Sequence, residues 1–153
     1  MHSGRLAAIA AFSLLAACGS DPAASDPGDL TFASELGVDL SKMTRTARGL
    51  YYQDLVVGTG TVAAAGLTLT VLYAAWLPNG SLFDQAQDPG DPYIFQLGVG
   101  DVIAGWDEGI AGMRTGGTRL LVIPPSLGYG NRVVGPIPAN STLVFRVQLL
   151  AVR

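Results

Sequence analysis

The chain has 153 residues, 49% apolar and 14% charged, with 9 Lys and Arg against 12 Asp and Glu and a formal charge of −3. That balance excludes an intrinsically disordered chain, which needs low hydrophobicity and high charge. It also excludes a nucleic-acid binder, which needs a basic stripe to neutralise phosphates. One cysteine, Cys18, and one histidine, His2, allow no intrachain disulfide, no thiolate metal site and no His-based acid–base chemistry beyond the first residues. No metal and no cofactor is expected.

The N-terminus reads as an address. Leu6 to Ala17 is a twelve-residue, mostly apolar run behind Arg5. A spanning helix needs about 20 such residues, so the run has the form of a signal-peptide core. It ends in Leu15-Ala16-Ala17-Cys18, which resembles the bacterial lipobox. The resemblance implies a lipoprotein signal peptide over 1–17, acylation of Cys18 and membrane attachment through that lipid. The expected location is the bacterial cell envelope, facing the periplasm. Gly19 after the cysteine slightly favours the outer membrane.

Residues 18–43 carry Asp21, Asp26, Asp29, Glu35 and Asp39 against Lys42 alone. They read as an acidic flexible tether behind the lipidated cysteine, with 19–30 as a disordered linker. Phe32, Leu36, Val38 and Leu40 are placed to pack onto the domain as an extended arm. From Thr44 on, seven basic residues face seven acidic ones, and 44–153 reads as the compact domain.

Within it the pattern is of strands broken by Gly and Pro. Strands are predicted over Leu50–Val57, Leu67–Leu77, Tyr93–Leu97, Arg119–Ile123 and Thr142–Val152. In the last, Leu143, Phe145, Val147 and Leu149 alternate with Val144, Arg146 and Gln148, the period of a sheet with one buried face. One segment breaks the pattern. Val102, Ile103, Trp106, Ile110 and Met113 fall near helical spacing, with Asp101 as N-cap and Gly112 as terminator. The predicted fold is α+β: an antiparallel sheet of five or six strands wrapped around one short helix.

Most chemical motifs fail. Gly98-Val99-Gly100 lacks the third glycine of a dinucleotide loop, and Ser126 has neither the elbow spacing nor a His base. What remains is a set of aromatics, Tyr73, Phe83, Tyr93, Phe95, Trp106, Tyr129 and Phe145, spread over strands, loops and helix. Three Tyr and one Trp in so small a core need places for their polar tips. A ring-lined cup with a phenol or two at its rim meets that need, and is a common form of small-ligand site.

Five segments then match one family in order. They are Gly49–Gly60, Leu82-Phe83-Asp84, Val102–Gly109, Gly128-Tyr129-Gly130 and Ile137–Phe145. Together they resemble the FKBP-type peptidyl-prolyl cis-trans isomerases from about Gly49 to Leu150. The resemblance implies a cup for a prolyl ring with Trp106 as floor and Tyr73, Phe83, Tyr93, Val102, Ile103 and Phe145 as walls. Ile137 would close one side. The backbone N–H of Ile103 and the hydroxyl of Tyr129 would bind carbonyls, and Asp84 would supply a rim carboxylate. Asp84, Tyr129 and Trp106 are the expected catalytic groups. Implied partners are proline-containing polypeptides and macrolide-type inhibitors. The implied function is catalysis of X–Pro rotation in exported proteins; the alternative is a proline-peptide binding module or holdase with weak catalysis. Two stretches depart from the family pattern. Gln85–Asp91 lacks the basic residue that many members carry after the rim Asp, which leaves Asp84 without a cationic partner, and the 131–136 loop is short.

The chemistry fits this residue set. Rotation about an X–Pro bond breaks no covalent bond; its barrier of about 18–20 kcal/mol is lost amide resonance, and uncatalysed exchange takes tens to hundreds of seconds. A twisted amide is less polar than a planar one, so an apolar cup with fixed donors favours it. Raising about 0.01 per second to about 100 per second needs roughly 5.5 kcal/mol.

Overall fold

The computed structural model describes residues 26–153. The signal-peptide core, the lipobox and Cys18 lie outside the described residues. The strands are β1 (Thr44–Arg45), β2 (Tyr51–Val56), β3 (Thr68–Trp76), β4 (Leu82–Ala86), β5 (Tyr93–Gln96), β6 (Thr118–Ile123) and β7 (Leu143–Val152); one helix, α1 (Ala104–Gly109), lies between β5 and β6. They form a 7-stranded sheet in the order β1-β2-β6-β7-β3-β4, with β5 sharing the free edge of β3. All pairings are antiparallel.

Seven strands replace the predicted five or six. The two extra ones are β1, only two residues long, and β4, a largely exposed edge strand. Neither has a period-two apolar signal to betray it. β3 is the hub. Its first half pairs with β5 (Thr68↔Gln96 to Val71↔Tyr93), its second half with β4 (Tyr73↔Ala86 to Trp76↔Leu82), and its other edge with β7 along almost its whole length.

The alternation along the strands sorts the core into two layers. Leu69, Val71, Tyr73 and Ala75 of β3, Leu121 and Ile123 of β6, and Leu143, Phe145, Val147 and Leu149 of β7 face the helix, meeting Trp106 and Ile110. The intervening Leu120, Val122 and Val144 face the other way, and they too are buried. Leu36 and Met43 pack on them, with Phe32, Ala33, Val38, Leu40, Tyr51 and Trp76 around. The sheet therefore has a second covered face, not the single one that the β7 alternation predicted.

That cover is the segment read as a tether. Its described part, 26–43, makes three short 3-10 turns, Pro27–Asp29, Ser34–Leu36 and Leu40–Lys42. Leu36 is 2% exposed beneath it, and the Ala33 N–H donates to the Pro78 carbonyl at 2.8 Å. The acids do local work. Asp26 accepts from the Gly28 N–H and pairs with Arg45 at 2.9 Å. Asp39 accepts from the Ser41 N–H and pairs with Lys42 at 2.9 Å, and the Ser41 hydroxyl and Lys42 ammonium hold its carboxyl below its usual range.

The helix starts later than predicted. Ile103 is its N-cap and makes no side-chain cap bond. Asp101 instead accepts from the Gln96 N–H at 3.1 Å, stapling the loop back onto the end of β5. Glycine brings α1 unusually close to the sheet. A Cβ on Gly105 would lie 2.5 Å from Ile123 Cγ2, and one on Gly109 would lie 2.9 Å from Leu121 Cδ2. The far end of α1 is held by Arg119, only 6% exposed. One guanidinium nitrogen donates to the Gly109 and Ala111 carbonyls at 2.9 and 3.2 Å, while the other two bind both oxygens of Asp54 at 2.7 and 3.0 Å. The guanidinium also lies 4.7 Å from the ring centre of Tyr52.

Candidate functional site

Because α1 rests directly on β6, its indole at Trp106 enters the layer between helix and sheet, 4% exposed. Four rings surround it. Tyr73 presents an edge at 5.0 Å between centroids and 85°, Phe145 at 5.4 Å and 81°, and Tyr93 at 6.0 Å and 84°; Phe95 is tilted against it at 5.4 Å. Phe83 extends the wall, edge-on to Phe145 at 5.9 Å. Such edge-to-face pairs each add about 0.5–1.5 kcal/mol beyond area burial, so the floor and walls brace one another.

Over this floor opens a cavity of about 470 Å³, within the range of small-ligand sites. Tyr73, Phe83, Asp84, Tyr93, Val102, Ile103, Trp106, Tyr129 and Phe145 all line it. Sequence distance is no obstacle to the assembly. Tyr73 and Phe83 come from paired strands β3 and β4, Phe145 from β7, and Tyr129 from the loop after β6. Ile137 is the exception. It is 4% exposed and packed in the main core, tied to Val134 by reciprocal backbone bonds of 2.9 and 3.0 Å. It braces the 131–136 loop and shares the buried cluster of Tyr73, Trp106 and Phe145, without being one of the lining residues. Phe95 likewise supports Trp106 from behind. Three lining residues were not predicted: Asp101, Gly128 and Arg132. Gly128 lies in the Gly128-Tyr129-Gly130 segment and Asp101 just before the helix, but no sequence pattern marks either, or Arg132, as lining; the loop path brings them to the mouth.

Asp84 is held more firmly than the missing basic neighbour suggested. The Tyr73 hydroxyl donates to its Oδ2 at 2.7 Å and the Gln85 N–H to its Oδ1 at 2.9 Å. Tyr73 is thus both a wall and the group that positions the rim carboxylate. Burial, and then the bond to Asp84, push its phenol well above the ordinary tyrosine range. Burial first, then the charge of Asp84, also raises the Tyr129 phenol. Both stay protonated donors at neutral pH.

The segment entering the helix is pinned from two sides. Asp107 accepts from the N–H groups of Gly98 and Gly100 at 2.7 and 3.2 Å, and both glycines have positive φ, 79° and 80°, which lets the loop fold onto the carboxylate. The Ile103 carbonyl accepts from Trp106 and Asp107, while its own N–H makes no loop or turn bond among the described residues. That N–H is an available donor beside the floor. The Trp106 indole N–H is buried and without a partner among the described residues. Tyr129 is fixed by its neighbours: the Gly130 N–H donates to Pro125 at 2.9 Å and the Asn140 N–H to Gly130 at 2.7 Å.

This fold and this cup define the class. Residues 60–150 match the family model described as FKBP-type peptidyl-prolyl cis-trans isomerase, and the chain belongs to that family. It is 49% identical over 105 residues to the FK506-binding protein of Neisseria meningitidis serogroup B, covering 68% of this chain and 96% of that one. It is 47% identical over 115 residues to FK506-binding protein 4 of Mycosarcoma maydis, covering 74% of this chain but 30% of the fungal protein. Among solved structures, AtFKBP13 aligns with a TM-score of 0.67 and 39% identity over 71% of this chain and 97% of that one. FkpA from Escherichia coli aligns with a TM-score of 0.69 and 38% identity over 78% of this chain and 55% of that one.

Proposed function

We propose that this protein catalyses cis–trans exchange of X–Pro bonds in exported polypeptides, as a lipoprotein of the bacterial cell envelope anchored through Cys18. Family membership supports the reaction, and the lipobox-like Leu15–Cys18 supports the location. The observation that carries the reading is the convergence of four rings on Trp106 in a cavity that Tyr129 and Asp84 also line. The prolyl ring sits on the indole, with Phe83 and Phe145 on its flank. The Tyr129 hydroxyl and the Ile103 N–H hold carbonyls of the turned amide. Asp84, oriented by Tyr73, faces the amide as it loses resonance. The water-poor aromatic walls favour the less polar twisted form over the planar one, and selective binding of this kind raises turnover without covalent chemistry.

The test is NMR exchange spectroscopy on a short X–Pro peptide with the purified protein, beside Tyr129→Phe and Asp84→Leu. Clear acceleration by the parent, reduced about tenfold or more in either variant, is expected. A folded parent that leaves the exchange rate at its uncatalysed value overturns the isomerase reading. A second reading, a proline-peptide binding module or holdase, draws support from Val133, 72% exposed on the loop beside the cup. It predicts that both variants bind peptide as the parent does and that none of the three proteins turns it over.

A further inference from the structure

The charges at the cup's mouth are unequally occupied. Arg132 lines the cavity together with Asp84 and Asp101. Its N–H donates to the Tyr129 carbonyl at 3.3 Å, which sets it in the same tight turn as the phenol. The ion pairs among the described residues engage Lys42, Arg45, Arg48 and Arg119, and Arg132 belongs to none of them. The two acids are partly spent. Asp84 accepts through both oxygens and Asp101 through one. The guanidinium, with five donors in a fixed fork matched to a carboxylate, is the charged group of the rim without a partner among the described residues.

We infer that Arg132 selects substrates by charge, favouring proline segments with Asp or Glu on the flank that passes over the 131–136 loop. The inference rests on the proposed peptide-binding cup but not on its turning over substrate. The acids oppose any general attraction of anions, so the preference is local to that flank. An exposed ion pair supports a discrimination of about two- to fivefold.

Two series of short peptides test this, with Glu, Ala or Lys placed either before or after the proline. Affinities are measured by amide-shift titration and exchange rates by NMR, for the parent, Arg132→Gln, Arg132→Lys and Arg132→Glu. In one series the parent binds the Glu peptide about two- to fivefold more tightly than the Lys peptide. Arg132→Gln brings that ratio to about one, Arg132→Lys retains it and Arg132→Glu inverts it. Salt at 0.5 M shrinks the parent's ratio, as for any exposed pair. A ratio in the parent that Arg132→Gln leaves unchanged in both series, or a parent ratio of one in both, overturns the inference. Preserved Glu preference in binding with no acceleration of exchange overturns the isomerase reading alone.

Discussion

Replacing Gly105 with Ala tests whether the cup's floor depends on the close seating of α1. The added methyl would lie 2.5, 2.8 and 3.0 Å from three side-chain atoms of Ile123, where carbon atoms prefer about 3.5–4.0 Å. Ile123 is fully buried in a close-packed interior, so the helix must give way by about an ångström. Two effects oppose. Ala gains up to about 1 kcal/mol over Gly in a helix, while overpacking costs about 1–3 kcal/mol. The net expectation is a loss of about 1–2 kcal/mol in urea unfolding. Because Trp106 is the next residue on the helix, peptide exchange also slows by about tenfold or more. A double-mutant cycle isolates the cause. Ile123→Ala removes all three clashing atoms and alone costs about 2–5 kcal/mol for its cavity. In the Gly105→Ala background it costs at least about 1 kcal/mol less, since the new methyl occupies part of the space. Strict additivity, or a Gly105→Ala protein of parental stability and activity, would refute the reasoning.

Three other outcomes are expected. Leu36→Ala lowers the unfolding free energy by about 2–4 kcal/mol, measured with urea, because Leu36 is 2% exposed against the outer face of the sheet; no change would mean that the arm is not part of the cooperative fold. Arg119→Met costs about 2–3 kcal/mol, less than a fully buried pair because the Asp54 side chain keeps 34% of its exposure; hydrogen exchange at the end of α1 accelerates with it. At alkaline pH the sign follows from the raised phenols. The unfolded chain loses tyrosine protons near pH 10 while Tyr73 keeps its own, so stability is fully present below that pH and falls as pH rises through it. Tyr73→Phe makes the fall in urea midpoint between pH 9 and 11 shallower, and an unaltered slope would count against the buried phenol.

How much was legible followed from how strongly each segment declared itself. β3, β6 and β7 carry long apolar runs or alternation, and their predicted spans end within two residues of the observed ones. β4 has most of its side chains in solvent, so no periodicity marked it, although it carries Phe83 and Asp84. The arm's apolar residues were visible, but its 3-10 turns are three residues each, too short for a repeating pattern. Asp101 does not take its expected part. A carboxylate just before an apolar run suits an N-cap, yet here it reaches backwards to Gln96, while Asp107 closes the glycine loop. The cup was readable through motif register, not through physics alone. Spacing cannot reveal that the Tyr73 hydroxyl lies 2.7 Å from Asp84, since that contact depends on the register of β3 against β4.

The packed arm has a consequence for distance. With the chain fixed from Asp26 onward by its bonds to Gly28 and Arg45, eight peptide steps separate Cys18 from the domain. Eight steps reach at most about 26–29 Å even when fully drawn out, whereas the whole of 18–43 would have reached about three times as far. A globule of this size has a radius of gyration of about 14 Å, so an acylated Cys18 would hold the protein on a short leash, within roughly its own breadth of the lipid. Asp26 lies beside Arg45, Pro124 and Ser126, and Ser126 is three residues before Tyr129 in the chain. The proposed anchor would therefore present the cup to clients at the surface of the membrane that holds it, and not out in the open compartment.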